Sequence, residues 1–307
     1  MAVSVLRVPT SAGAYNVGQE RAPEALERAG LLDALHAARV PLDDAGALPV
    51  EAFRPDPANR RQQNLPRVVE VASRVADHVG AISDGGDIPL LLGGDCTITV
   101  GVVAGLVSRW PDLGLAYVDG DADLDTPRTT QSGILDAMGI AHMLAVDGAA
   151  PALAGAGPRT PLLRGDRVAL VGYEPSDLDD AKQALLDIYG VHRFPARAVR
   201  GRPAVAAAEA LSALGGDAPV VVHFDVDVID SVDLPLGHFP HFNAGLSFDD
   251  ALATLAGLCA ARWVAAITVT EVNPDYDPDG RHLRRLAQGL AGAIGHVRAD
   301  HGQRAPA

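Results

Sequence analysis

Residues 117–127 read Tyr-Val-Asp-Gly-Asp-Ala-Asp-Leu-Asp-Thr-Pro, with a carboxylate at every second position after an apolar run. A β-strand presents alternate residues on one face, so Asp119, Asp121 and Asp123 are expected to converge where the chain leaves a buried strand. Three like charges at that spacing repel one another unless a cation lies among them. Oxygen ligands suit Mg, Mn and related divalent ions. The segment therefore predicts a metal site, and the alternative for this segment alone is a solvated acidic turn.

Two further predicted strand ends carry comparable groups. The apolar run 219–224 leads into Asp225 and Asp227, which share one face of a strand. The run 88–92 ends in Gly-Gly-Asp-Cys and opens a predicted helix. Cys96 is therefore expected at a helix start, where the helix dipole favours a thiolate. A buried cysteine is by itself more often an inert hydrophobic residue, but beside two acidic clusters we interpret Cys96 as a metal ligand.

The composition limits the class of function. The chain has 307 residues, of which 48% are apolar, and a formal net charge of −14. Nucleic acids and anionic membranes both need a basic surface, so neither is expected as a partner. The chain shows no basic segment followed by an apolar stretch at its start and no run of about 18 apolar residues. Two cysteines do not make the disulfide framework of a secreted protein, and a cytoplasmic protein is expected.

Short β-type runs alternate with amphipathic segments along the whole chain. The predicted strands are 4–8, 39–42, 88–92, 114–118, 167–171, 220–224 and 263–269. The predicted helices are 22–38, 65–83, 97–107, 139–144, 178–186, 204–214, 248–260 and 281–295. This alternation indicates an α/β protein with three layers, α/β/α, around a mainly parallel sheet of about eight strands. Because no linker divides it, we expect one domain over residues 1–307, with a frayed tail from about residue 298.

These motifs together resemble the arginase/agmatinase (ureohydrolase) family over nearly the whole chain, from Pro9 to about Gly295. Residues 93–96, Gly-Gly-Asp-Cys, stand where the family has Gly-Gly-Asp-His. Residues 119–123, Asp-Gly-Asp-Ala-Asp, stand where it has Asp-Ala-His-x-Asp. Residues 271–274, Glu-Val-Asn-Pro, match its Glu-x-Asn-Pro motif. The order and spacing of these matches make the resemblance specific.

The resemblance implies a binuclear Mn site at the carboxyl edge of the sheet, where a metal-bound hydroxide attacks a guanidinium carbon and urea or a similar product leaves. Carried over position by position, the metal ligands would be Cys96, Asp119, Asp121, Asp123, Asp225 and Asp227. Glu271 would bind the guanidinium and so take part in catalysis. Asp125, Ser132 and Asp177 would line the far end of the substrate. The family is commonly trimeric or hexameric, so a homo-oligomer is expected.

Two departures from the family pattern change the charge of the predicted site. Cys96 and Asp121 replace the two histidine ligands, so five carboxylates and a thiolate would carry six negative charges against the four positive charges of two divalent cations. Surplus negative charge weakens the pull of a metal on its bound water. One ligand is therefore protonated, one metal or both are missing, or a different metal is bound. A thiolate ligand shifts the preference from Mn towards Fe, Co or Zn.

A third departure is Asp136, which stands where arginases keep a histidine that shuttles protons. An aspartate serves as a shuttle only if its pKa is raised, which neighbouring carboxylates would do. The alternatives are His142 as the shuttle or a plain surface role for Asp136. His238 and His241, in the Gly/Pro-rich loop 236–245, are candidates for the border of the pocket.

Asp125 bears on the substrate, because arginases place Asn there to help hold an α-carboxylate. An aspartate would repel that carboxylate by roughly 1 kcal/mol in a partly wet cleft. The expected substrate is therefore a cationic guanidino compound that lacks a carboxylate or carries a second amine.

The chain also resembles a non-standard branch of the family, the hydroxyarginine hydrolases of cycloserine biosynthesis, which carry Cys for the first His ligand. Those enzymes keep a histidine where Asp121 stands. The competing hypothesis is therefore a catalytically degenerate member that binds a ligand, a metal or a sister subunit without turnover. A deacetylase-like amidohydrolase is a third and weaker alternative.

Overall fold

The computed structural model describes residues 1–297. Within this range, eight strands form one sheet: β1 (Val3–Val8), β2 (Leu42–Ala47), β3 (Ile88–Gly93), β4 (Gly114–Val118), β5 (Val168–Val171), β6 (His192–Phe194), β7 (Val220–Asp225) and β8 (Val264–Thr270). They pair in the order β2-β1-β3-β8-β7-β4-β5-β6, and every pairing is parallel. The central strands are buried on both faces, which explains why they read as continuous apolar runs.

The helices of the described range are α1 (Ala22–Arg28), α2 (Leu31–Ala37), α3 (Leu65–Asp84), α4 (Ile98–Leu106), α5 (Gly139–Met143), α6 (Pro151–Ala154), α7 (Asp180–Tyr189), α8 (Ala196–Val199), α9 (Pro203–Ala213), α10 (Phe248–Cys259) and α11 (Arg281–Ile294). Apolar side chains of α1, α2 and α8–α11 pack with one face of the sheet, and those of α3–α7 pack with the other face. The predicted three-layer α/β/α fold is thus confirmed. The predicted frayed tail lies outside the described residues, and the single domain over residues 1–307 stays a prediction.

Two predicted elements differ from the structure, and three short elements, β6, α6 and α8, were not predicted. The helix predicted at 22–38 is two helices, because Gly30 adopts a left-handed conformation with φ of 92° between α1 and α2. The strand predicted at 39–42 begins only at Leu42, after a turn in which Arg39 has a φ of 61°. The strand β6 was not predicted, since three residues with a partly exposed surface carry too little pattern.

The four central strands end level with one another, and this positions the site. Val118 of β4 lies opposite Phe224 of β7, Phe224 lies opposite Val269 of β8, and Leu92 of β3 lies opposite the same valine. Because parallel strands place their carboxyl ends at the same edge, the residues that follow these four strands meet there. Glycine is required at Gly94, where a Cβ atom would lie 1.5 Å from the carbonyl oxygen of Thr10. The backbone of this turn therefore passes directly against that of Thr10.

Candidate metal centre

All the predicted site residues line one cavity of about 350 Å³ at this edge of the sheet. They are Cys96, Asp119, Asp121, Asp123, Asp125, Ser132, Asp136, Asp177, Asp225, Asp227 and Glu271. The tertiary structure therefore brings together side chains that the sequence distributes over five separate segments after the strands. Their roles stay predictions, but because they line the same cavity they are close enough to contact one ligand.

The deepest part of the cavity is a group that we call the inner cluster: Cys96, Asp119, His223 and Asp225, all buried. The Cys96 Sγ lies 2.8 Å from Asp225 Oδ2 and 3.4 Å from His223 Nε2. The His223 Nε2 lies 3.8 Å from Asp119 Oδ2. One sulfur, one nitrogen and two oxygen atoms thus face a common point.

The charge state of Cys96 differs from the prediction. The helix α4 begins at Ile98, two residues after Cys96, so the thiol is not within the first turn. Burial raises the pKa of Cys96 well above its usual value, and the nearby charges of Asp225 and Asp136 raise it further. In this arrangement Cys96 is a thiol that donates a hydrogen bond to Asp225. It becomes a thiolate when a cation takes the place of the proton.

The buried carboxylates repel one another and have raised pKa values, as is expected of a cation site without its cation. Burial and the charges of its neighbours raise the pKa of Asp119, Asp123 and Asp225 well above the usual value. The pKa of Asp227 is raised to about 6, first by burial and then by the charge of Asp121. Divalent cations would relieve this repulsion, and the oxygen, nitrogen and sulfur donors present are ordinary metal ligands. The residues therefore fit the metal site that the family resemblance implies.

His223 is the ligand-type residue of this cluster that sequence reasoning missed. It lies inside the apolar run of β7, where it reads as a core residue, and its side chain is fully buried. Burial lowers the pKa of His223 to about 3, so the ring is neutral. The available signal was strand alternation, which places residues 223 and 225 on the same face.

Two predicted site residues have unusual backbone conformations. Asp123 has a φ of 46° and Glu271 has a φ of 63°, both in the left-handed region. Such conformations cost free energy in residues other than glycine and are found more often at functional sites. Tyr117 donates a hydrogen bond to Asp123, and the backbone N–H of Glu271 donates to the carbonyl oxygen of Gly94 at 2.8 Å. These bonds hold both carboxylates towards the cavity.

Asp136 and Glu271 form a buried pair beside Cys96. The backbone N–H of Cys96 donates to Asp136 Oδ1 at 2.6 Å, and the side chain of Gln19 donates to Glu271 Oε2 at 3.0 Å. A hydrogen bond between the two side chains lowers the pKa of Asp136 and raises that of Glu271, and beyond it Asp136 Oδ2 and Glu271 Oε1 have no hydrogen-bond partner within residues 1–297. Burial and then the charge of Asp95 raise the pKa of Asp136 to about 7. An aspartate that titrates near neutral pH suits the predicted proton shuttle.

His142 and His238, two of the histidines considered as candidates from the sequence, do not lie in this cavity. His142 is buried away from the cavity, where its Nδ1 contacts the carbonyl oxygen of Met138 at 2.7 Å and its Nε2 accepts from the N–H of Ala150 at 3.2 Å. Since both nitrogens are engaged by the backbone, His142 has a structural role and the hypothesis that it shuttles protons is wrong. His238 packs against Phe239 and Tyr276 and lines a different, shallower pocket.

His241 does reach the border of the cavity, where it forms what we call the rim cluster with Asp121 and Asp177. Its Nε2 lies 3.4 Å from Asp121 Oδ2, and its Nδ1 lies 3.6 Å from Asp177 Oδ2. Burial lowers the pKa of His241, but the hydrogen bond to Asp121 and the charges of the surrounding aspartates raise it more, to about 9. The ring is therefore a cation at neutral pH, and it offsets part of the surplus negative charge.

Gly120 makes room for this imidazole. A Cβ atom at position 120 would lie 2.6 Å from both Cδ2 and Nε2 of His241. The family pattern described above has alanine at this position and histidine at the next. In this chain glycine and Asp121 stand there, and the imidazole comes from the loop that follows β7.

The far end of the cavity is not purely acidic. The prediction that the substrate lacks a carboxylate or carries a second amine rested on repulsion by Asp125, and it therefore loses its basis. Lys182, on α7, places its Nζ 3.0 Å from Asp125 Oδ1, and both side chains are 23% exposed. Lys182 is the only lysine of the chain. Among residues 1–297, no other lysine or arginine lines this cavity. Because the ammonium neutralises Asp125, a substrate carboxylate is not repelled here. Ser132, partly exposed, lines the same end.

A family model described as the arginase family matches residues 1–295. This chain belongs to the arginase family. Human arginase-1 is 28% identical to it over 287 residues, which cover 92% of this chain and 88% of that protein. The arginase of Bacillus caldovelox is 27% identical over 296 residues, covering 95% and 97%. The solved structure of the native Bacillus caldovelox arginase at pH 5.6 superposes with a TM-score of 0.83 and 25% identity over 99% of both chains.

The arginase-family resemblance and the assignment as a hydrolase are therefore confirmed. The identity of the metal, the assembly into trimers or hexamers and the cytoplasmic location stay predictions. Within residues 1–297, none of the helices combines the length and the apolar character needed to cross a membrane.

Proposed function

We propose that this arginase-family protein is a metal-dependent hydrolase that cleaves a linear C–N bond of a guanidino or amidino compound and releases urea or a similar product. The convergence of one thiol, six buried carboxylates and two half-buried carboxylates around a single cavity carries the proposal. This charge concentration is unfavourable without a cationic occupant. Divalent metals and a guanidinium group are both cationic, and the cavity has the volume of a small-molecule site.

The ligands would come from three segments: Cys96 after β3, the aspartates 119, 121 and 123 after β4, and the aspartates 225 and 227 at the end of β7. His223 and His241 adjoin these groups. Bound divalent cations would act as Lewis acids that make water a better nucleophile near neutral pH. The family resemblance favours Mn, whereas the thiol of Cys96 favours Fe, Co or Zn.

The remaining cavity residues have roles that follow from charge and position. Glu271 presents an unpartnered oxygen that would accept hydrogen bonds from the guanidinium. In hydrolysis, the oxygen of water adds to the guanidinium carbon, the C–N bond to the substituent breaks and the leaving amine takes up a proton. Asp136, with a pKa of about 7, would deliver that proton. The pair of Lys182 and Asp125 would meet a substrate end that carries both an amine and a carboxylate.

The experiment that tests the proposal begins with metal-free protein. The protein is supplemented separately with Mn, Fe, Co or Zn, its metal content is measured, and a panel of guanidino compounds is scored for urea. We expect up to two metals per chain and urea release from at least one compound. Cys96→Ser should lower the metal content, whereas Cys259→Ser, at a buried cysteine outside the cavity, should not. Metal binding without any urea release would instead support a degenerate binding protein.

A further inference from the structure

The imidazole of His223, in the inner cluster, is held by more specific contacts than packing in an apolar core requires. His223 Nδ1 lies 2.8 Å from Thr99 Oγ1 and 2.8 Å from Thr268 Oγ1. Its ring stacks on that of Tyr117, with centroids 4.0 Å apart and planes 12° apart. These contacts hold the ring in one orientation, with Nε2 directed at Cys96 and Asp119.

Histidines that bind metals have the same arrangement. One ring nitrogen usually donates its N–H to a carboxylate, a backbone carbonyl or water, and the other nitrogen is left for the metal. In His223, Nδ1 lies within hydrogen-bond distance of two threonine hydroxyl oxygens, both of which can accept from an Nδ1–H, and in that tautomer Nε2 carries the lone pair. Two groups of metal-ligand type lie close to Nε2, the thiol of Cys96 at 3.4 Å and the carboxylate of Asp119 at 3.8 Å.

We propose that His223 is a metal ligand that completes a Cys96, Asp119, His223, Asp225 site, and that this site selects Zn, or Co as its spectroscopic substitute, over Mn. The inference rests on the metal dependence in the proposed function, which it deepens. Cys96 and His223 together supply the thiolate and imidazole that tetrahedral Zn sites combine with carboxylates. Cys96 stands where the sequence motif has histidine, and the imidazole is instead provided by β7, which β8 separates from β3 in the sheet.

The distances agree with such a site. With a metal–sulfur bond of about 2.3 Å and a metal–nitrogen bond of about 2.0 Å, tetrahedral ligand atoms lie roughly 3.5 Å apart. The observed separations are 3.4 Å between Cys96 Sγ and His223 Nε2, and 3.8 Å between His223 Nε2 and Asp119 Oδ2. The shorter contact of 2.8 Å between Cys96 Sγ and Asp225 Oδ2 is a thiol hydrogen bond. A cation that displaces the thiol proton would end that bond and allow the two atoms to separate.

A second observation points to a ligand at the same place. Beyond the hydrogen bond between their two side chains, Asp136 Oδ2 and Glu271 Oε1 are buried without a partner in the described part of the chain, and both belong to residues that share a potential metal group with Cys96. Native proteins rarely leave buried carboxylate oxygens unpaired unless an ion, a water or a ligand satisfies them. These two oxygens therefore indicate a ligand beside Cys96, next to the inner cluster.

The test is titration of the metal-free protein with Co and, in competition, with Zn and Mn. In the wild-type protein, Co should give a thiolate-to-Co charge-transfer band and the visible absorption of a tetrahedral site, and Zn should displace it far more readily than Mn. His223→Asn should weaken Zn binding by more than about a hundredfold, because loss of an outer partner alone costs 10- to 100-fold. Mn binding should change much less.

Two variants control for loss of structure. His142→Asn removes the other fully buried histidine, which has no contact with the cluster, and should leave the Co spectrum and Zn affinity unchanged. If His223→Asn does not fold, Thr99→Val removes one anchor of the ring while keeping the imidazole. It should weaken Zn binding about tenfold and alter the visible Co bands. A wild-type Zn affinity and Co spectrum in His223→Asn, or an unchanged Co spectrum in Thr99→Val, would overturn the proposal.

The outcome separates this inference from the proposed function. Urea release by a protein whose Zn affinity does not depend on His223 would overturn only the ligand assignment. Metal binding through His223 without urea release from any guanidino compound would overturn only the proposed activity.

Discussion

The inner cluster and the rim cluster each place one histidine beside the aspartates of the same cavity, but in opposite charge states. His223 is fully buried and its Nδ1 contacts two threonine hydroxyls, and burial lowers its pKa to about 3. His241 lies between two carboxylates at the mouth, and they raise its pKa to about 9. One residue type thus supplies a neutral lone pair in the interior and a positive charge at the border. Position in the fold, rather than residue type, decides which role each ring can take.

The largest effect is expected from Asp225→Asn, which removes a carboxylate from the inner cluster. Loss of a metal that contributes several kcal/mol would lower kcat/KM for urea release more than about a hundredfold. Asp177→Asn, in the rim cluster, should have a much smaller effect. Metal analysis and steady-state kinetics of both variants check the difference. Equal losses in the two variants would show that the inner and rim clusters are not functionally distinct.

An intermediate effect is expected from His241→Asn, because the cation that offsets Asp121 is lost. We expect metal affinity to fall about tenfold, the scale measured for groups that support metal ligands. Gly120→Ala should have a similar effect, since the added Cβ would displace the same ring. The double variant with His241→Asn and Gly120→Ala should bind metal no more weakly than either single variant, because both changes remove the same contact. His238→Asn is the matched control in the same loop, and a loss of affinity there would contradict the assignment to His241.

A smaller effect is expected at the far end of the cavity from Lys182→Met. The variant should lower kcat/KM for guanidino compounds that carry a carboxylate, relative to compounds without one, by about fivefold. This corresponds to roughly 1 kcal/mol for a partly solvated ion pair. Lys182→Arg keeps the positive charge and should retain most of the selectivity. The measurement is a comparison of the two substrate classes, and unchanged selectivity in Lys182→Met would exclude a role in substrate choice.

The smallest effect is expected from Asp136→Asn, on the pH dependence of the free energy of unfolding. The folded protein holds Asp136 with a pKa of about 7, above its unfolded value, so the protonated form stabilises the fold. That contribution is present below about pH 4 and is lost as the pH rises through about 7. Denaturant unfolding of metal-free protein between pH 5 and 8 should show a shallower loss of stability in Asp136→Asn than in the wild type. An identical pH dependence of stability in the two proteins would show that Asp136 is not protonated in the fold.

Much of the fold was readable from local pattern. Strands such as β3, β4 and β7 are continuous apolar runs followed by polar turns, and such runs predict a buried parallel sheet. The strands missed or displaced were β2 and β6 at the two edges of the sheet, where exposed residues leave no hydrophobic pattern. The four-residue helices α6 and α8 were also not predicted. The helix predicted at 22–38 is divided at Gly30, which adopts a left-handed conformation. Helix propensity alone does not reveal that conformation.

The sequence by itself determined that Cys96, the aspartates 119, 121 and 123, and the aspartates 225 and 227 would gather, because strand alternation and the order of β–α junctions are local properties of the chain. The other carboxylates of the cavity were predicted only from the family resemblance. Only the tertiary structure decided their charges and neighbours. It placed His223 against Cys96, His241 against Asp121 and Lys182 against Asp125, pairs separated by 127, 120 and 57 residues in the numbering. Protonation depends on burial and on charges a few ångströms away, and neither is defined until distant segments pack together.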